Sequence, residues 1–258
     1  CVGGSYLEGN VGALRARGRL VIIGLMGGTK ADVNLGLLVS RRLRTMSIAA
    51  GYKLADIPNP GVDQEHKDWI AVKYFRTLWR QVFEFGTLHT DPHPGNYLVT
   101  YHPKLAILDF GSIRIFEDEI RAQYLKLARA LIGRQRDDAA RACVALGYID
   151  AGDDPQPMLD MLDQIFDPVY EDRVYDPHDY NTMDRAMKVA TISLENRVFK
   201  SPGHSVFLMR ALMGLDSYIQ QFGTVANFHR LFLECISEAE QRTAGTARGR
   251  AKGGARRA

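Results

Sequence analysis

A chain of 258 residues that is 46% hydrophobic and 24% charged has the composition of a globular protein with a sizeable core. Its longest apolar run, Leu20 to Met26, is far short of the roughly 20 residues that cross a bilayer, and no cationic-then-apolar leader opens it, so it reads as soluble and cytoplasmic. Cys1, Cys143 and Cys235 are odd in number, far apart and without a C-x-x-C pair, which speaks against a disulfide framework or a cysteine zinc site and for buried or idle thiols. The opening Cys1 in place of Met implies a fragment or a processed product.

In chain order, Tyr6 to Arg17 suits a short helix and Leu20 to Ile23 a strand, closed by Gly24 and the Gly27-Gly28 loop. Leu35, Leu38, Val39 and Leu43 share one face of a further helix, before a strand-like Thr45 to Ala49. Residues 1–50 therefore read as one short βαβ, Rossmann-like fragment. From Gly51 a Pro/Gly-punctuated link leads into mostly helical sequence. Trp69, Val72, Phe75, Leu78, Trp79, Val82 and Phe83 recur at helical spacing between about Val62 and Phe85, with Gly86 as the stop; Trp69, Phe75 and Trp79 are read as core. A Pro/Gly-rich loop spans His89 to Asn96, followed by strands Tyr97–Thr100 and Leu105–Leu108 around a turn at His102-Pro103-Lys104. Further helices are expected near 118–133, 136–146, 156–166, 180–196, 204–221 and 224–241.

The last residues, 242–258, carry Arg242, Arg248, Arg250, Lys252, Arg256 and Arg257 with no acid. The net charge of the whole chain is only +3, so the body before this tail is net negative. A Gly/Ala/Arg segment without apolar periodicity gains too little to offset the entropy of ordering and is expected to be disordered. Such a tail offers contact with an anionic membrane surface, while no specific nucleic acid is expected as a partner.

The chemistry concentrates in the loop. His89-Thr90-Asp91-Pro92-His93-Pro94-Gly95-Asn96 has the H-x-D-x-x-x-x-N spacing of kinase catalytic loops, and Leu108-Asp109-Phe110-Gly111 follows one hairpin later as a DFG motif. Three fixed residues at usages near ~5% match by chance about once in ten thousand starts, before the DFG is counted. Phosphoryl transfer needs a carboxylate at the attacking oxygen and hard oxygen ligands on Mg²⁺ at the phosphates. Asp91 fits the first role; Asn96 and Asp109 fit the second, as cofactor-binding and metal residues for ATP and Mg²⁺. His93 stands where many protein kinases place a Lys, and either meets the transferring phosphate or braces the loop. His89 is read as structural. A hydrolytic metal site of His89, Asp91 and His93 leaves Asn96 and the DFG unexplained.

The segments QVFEFGTLHTDPHPGNYLV and LAILDFGSIRIF closely resemble the AarF/UbiB atypical kinase family, whose catalytic loop is H-x-D-P-H-P-G-N. Gly51-Tyr52-Lys53-Leu54-Ala55-Asp56 resembles the family's segment just after the hinge between lobes. The resemblance implies an α+β, mostly helical fold with a protein-kinase-like C-lobe over residues 51–241. It also implies Mg-ATP binding, slow ATPase or small-molecule kinase activity on a small-molecule or lipid-like substrate, and a link to ubiquinone biosynthesis or lipid metabolism. Aminoglycoside-type phosphotransferases share this style of loop but not its flanks.

Before Gly51 there is no K-x-G-Q segment, no alanine-rich nucleotide loop and no strand Lys of the V-A-I-K kind, so a kinase N-lobe is not legible. Residues 1–50 instead resemble the end of the cofactor domain of zinc-free NADPH:quinone oxidoreductases, without the G-x-G-x-x-G fingerprint. An incomplete kinase-like enzyme is thus the main expectation. The alternatives are a nicotinamide-dependent oxidoreductase fragment and a catalytically dead fusion or gene-model chimera that serves as a scaffold.

Overall fold

The structure, a computed structural model, describes residues 19–22, 44–48, 51–57, 61–100, 104–108, 111–179, 182–196 and 200–254. The helices expected over 6–17 and 35–43, the Gly24–Gly28 loop, and Asp109 with Phe110 lie outside them. The chain divides into two compact units, residues 1–57 with 93–111, and residues 58–92 with 112–258.

In the first unit, β1 (Arg19–Ile22) and β2 (Arg44–Ile48) pair in parallel, the pairing a βαβ crossover produces. A separate antiparallel sheet runs in the order β3 (Gly51–Lys53), β5 (Tyr97–Thr100), β6 (Leu105–Ile107). Its two later strands are the expected hairpin; β3 is an addition the sequence reading placed in a link. Gly51 sits opposite Thr100, where a Cβ would come within 1.9 Å of the Val99 carbonyl oxygen. Only glycine allows that approach.

The second unit is built on α1 (Gln64–Arg80), started by the Asp63 side chain accepting from the His66 N–H at 2.8 Å. Its inward face buries Ile70, Ala71, Tyr74, Phe75, Leu78 and Trp79, as the apolar period requires. Trp69 is an exception to the core reading: it lies half-buried, stacked on His66 with Lys73 over its ring, because it falls outside the inward stripe. Residues Gln81–Phe85 wind as a π-helical turn that ends at Gly86 with φ 58°. This left-handed residue is the expected glycine stop.

Further helices complete the unit, α2 (Asp118–Ile132), α3 (Arg136–Ala145), α4 (Gln156–Tyr170), α5 (Thr182–Asn196), α6 (Gly203–Phe222) and α7 (Phe228–Gly254); α6 and α7 pack on α1, α3 on α2, and α5 on α4. The core is aromatic: Trp79 stacks on Phe83 at 5.1 Å and meets Phe232 of α7 at 4.7 Å, while Phe75 meets Phe228 at 5.2 Å. Cys143 and Cys235 are buried free thiols. α7 continues to Gly254, into the basic segment that composition marks as disordered. Ala and Arg are strong helix formers, and extending an existing helix avoids the cost of nucleation. No helix among the described residues is long and apolar enough to cross a membrane.

Candidate functional site: the catalytic loop

The loop begins on β4 (Thr87–His89), which pairs antiparallel with β7 (Ile113–Ile115) in a two-stranded ribbon. The π turn ahead of it brings Gln81 alongside, and its Oε1 accepts the His89 N–H at 2.6 Å. Such π turns recur where a helix is bent to serve a site. His89 is buried, in keeping with a structural role. Thr90 is locked next: its N–H donates to the Ser112 carbonyl at 3.0 Å and its hydroxyl lies 2.7 Å from that of Ser112. Thr90, inside the HxD motif, and Ser112, just after the DFG, are therefore tied to each other within the second unit.

Asp91 follows directly, with its side chain 34% exposed and Oδ1 accepting from Arg210 Nη2 of α6 at 3.1 Å. Gln81 and Arg210 are contacts that sequence reasoning missed. No local pattern marks Arg210, which lies 119 residues beyond the carboxylate it meets. Behind Asp91, Pro92 forms part of the wall of an open groove of about 600 Å³, whose largely apolar lining includes Met158, Met161, Met209 and Met213, with Arg210 also lining it.

His89 to Pro92 belong to the second unit and His93 to Asn96 to the first. There Pro94–Asn96 forms a 3₁₀ turn capped by His93, whose Nδ1 accepts the Gly95 N–H at 3.0 Å. As an acceptor Nδ1 carries no proton, and a Cβ on residue 95 would lie 3.0 Å from that atom, so Gly95 serves the cap. Of the two readings of His93, loop bracing has a visible contact. Asn96 is held at both backbone groups: its N–H donates to the His93 carbonyl at 2.9 Å and its carbonyl accepts from Leu108 N–H at 2.7 Å. The second contact ties Asn96 to the residue preceding Asp109, whose own position lies outside the described residues. Among the described residues no three or more His, Cys, Asp or Glu side chains cluster as a metal site, and His89, Asp91 and His93 form none.

A helical lobe whose catalytic loop springs from a short ribbon is that of a kinase-like C-lobe, and comparison with known proteins agrees. Residues 37–143 match the ABC1 atypical kinase-like domain, so the AarF/UbiB resemblance read from the loop and DFG is borne out. The relatives include an uncharacterised protein of Synechocystis, 33% identical over 49% of this chain and 18% of that protein. A probable serine/threonine-protein kinase, abkA of Dictyostelium discoideum, is 25% identical over 69% of this chain and 33% of its own length. The mitochondrial atypical kinase COQ8 of Saccharomyces cerevisiae is 27% identical over 75% of this chain and 39% of its own. The chain thus spans between 18% and 39% of these relatives. A solved structure, Rv3197 of Mycobacterium tuberculosis in complex with erythromycin, shares the fold with a TM-score of 0.56 at 18% identity, over 70% of this chain and 46% of that one. The resemblance of residues 1–50 to quinone oxidoreductases finds no support in these matches; the kinase-like match already includes residues from 37 onward.

Proposed function

We propose that this chain carries the catalytic-loop part of an AarF/UbiB-type, Mg-ATP-dependent phosphotransferase or ATPase. The observation that supports it most is the presentation of Asp91: a part-exposed carboxylate, fixed by the Thr90–Ser112 clasp on one side and Arg210 on the other. A carboxylate so held would orient the attacking hydroxyl or water and accept its proton as the new oxygen–phosphorus bond forms and the bond to the departing ADP oxygen breaks. Asn96 and Asp109 supply the hard oxygen donors that suit Mg²⁺, and the Leu108–Asn96 backbone contact fits their acting as a pair. Bound Mg-ATP would provide the transferable phosphoryl group and the charge that offsets its oxygens. His93 braces the turn that carries Asn96.

The acceptor in this reading is a small-molecule or lipid-like compound, in ubiquinone or other lipid metabolism. The methionine-lined groove behind Pro92 suits an apolar body, since methionine adapts to irregular apolar shapes. The cationic end of α7 offers contact with an anionic membrane surface. Release of phosphate from Mg-ATP tests the reading: turnover that Asp91→Asn and removal of the divalent ion each abolish supports it, and turnover indifferent to Asp91 overturns it.

A further inference from the structure

Three positions of α6, Arg210, Gly214 and Tyr218, are spaced four residues apart and so share one face of the helix. All three meet the two residues at the centre of the catalytic loop. Arg210 Nη2 donates to Asp91 Oδ1 at 3.1 Å. Gly214 lies under the Pro92 ring, where a Cβ would come within 2.3 Å of Pro92 Cβ and 2.8 Å of its Cγ. Tyr218 Oη donates to the Pro92 carbonyl at 2.5 Å, and that carbonyl is the only backbone hydrogen-bonding group a proline has. Tyr218 is itself fixed: it is buried, edge-on to Tyr74 of α1 at 5.2 Å and stacked on Phe222 at 5.8 Å.

An ion pair as exposed as Arg210–Asp91, with side chains 59% and 34% exposed, contributes little to stability by itself. Its alignment with two backbone-seating contacts on the same helix face gives it a different use. We propose that α6 is the positioning element of the catalytic loop. Gly214 and Tyr218 seat Pro92 and so fix the Asp91 backbone, while Arg210 is the positioning residue that orients its carboxylate. The inference rests on Asp91 having the role proposed above; the seating of the loop does not. Misplacing a reacting group by about 1 Å can cost up to about a hundred-fold in rate, so orientation matters even where stability gains nothing.

Hydrogen exchange of the amides between Thr90 and Asn96, measured on the whole chain beside phosphate release, tests this. Gly214→Ala and Tyr218→Phe should each speed exchange several-fold in that segment alone. Arg210→Gln should lower kcat about ten-fold with the KM for Mg-ATP unchanged, the signature of a misoriented group, and Arg210→Lys should recover most of the loss. Unchanged exchange in both seating variants overturns the proposal, as does wild-type kcat in Arg210→Gln. Should the wild-type chain release no more phosphate than Asp91→Asn, the proposed function fails, and exchange in the seating variants still decides whether α6 holds the loop.

Discussion

At Gly51 the backbone of β3 approaches β5 so closely that even a methyl group must displace a neighbouring carbonyl. Gly51→Ala should therefore destabilise the three-stranded sheet by about 1–3 kcal/mol, the usual cost of overpacking, with a lowered denaturation midpoint as the measurement. The buried thiols lead to a second expectation. Burial pushes both Cys143 and Cys235 up to about 12, so almost no thiolate exists at neutral pH. Mass spectrometry after treatment with a thiol reagent at pH 8 should find both unmodified in the folded chain and modified once it is denatured. Single residues also show where sequence reading stops. His89, Asp91, His93 and Asn96 could be picked out as candidates because the spacing of one short loop marks them. Arg210 and Tyr218 are not, because their partners are supplied only by the fold.

Among the elements, α1 carries the core of the second unit, and Trp79 touches Phe75, Phe83, Phe166 and Phe232. Trp79→Ala should cost about 3–5 kcal/mol in chemical denaturation, the range for removing a buried aromatic. Residues at the junctions of α2, α3 and α6 form a polar chain: Tyr124 Oη lies 2.7 Å from His204 Nδ1, and His204 Nε2 lies 3.1 Å from the Leu146 carbonyl. Burial holds the His204 imidazole below its ordinary value, opposed by the Leu146 carbonyl and aided by the Arg114 charge. The unfolded chain then binds the proton more readily than the folded one. Stability from this group is present above about pH 6.5 and is lost as pH falls through the folded value. The melting temperature should drop on going from pH 7 to pH 5, and less so in His204→Gln. Long helices such as α2, α3 and α6 were legible from their apolar period. The three-residue strands β3, β4 and β7 are too short to show one, and the π turn leaves no compositional trace.

For the whole molecule, the kinase-like C-lobe was legible because loop and DFG stand in order across one hairpin. Residues 1–50 were not, since a parallel strand pair is common to many folds and only the strands of that segment are described. Their sequence offers no assignable phosphate-binding loop or strand Lys, the groups that supply much of a kinase's grip on nucleotide. Each missing charge-assisted contact costs about 1.5–3 kcal/mol, and loss of the covering loop readmits water. Two or three such contacts fewer correspond to an affinity several tenfold steps lower, which is the expectation for these 258 residues taken alone. Titration calorimetry of the 258-residue chain with Mg-ATP, beside its Asp109→Ala variant, tests the central claim most directly. The account predicts weak, magnesium-dependent binding that Asp109→Ala removes; binding of equal strength in the variant, or in the absence of magnesium, would contradict it.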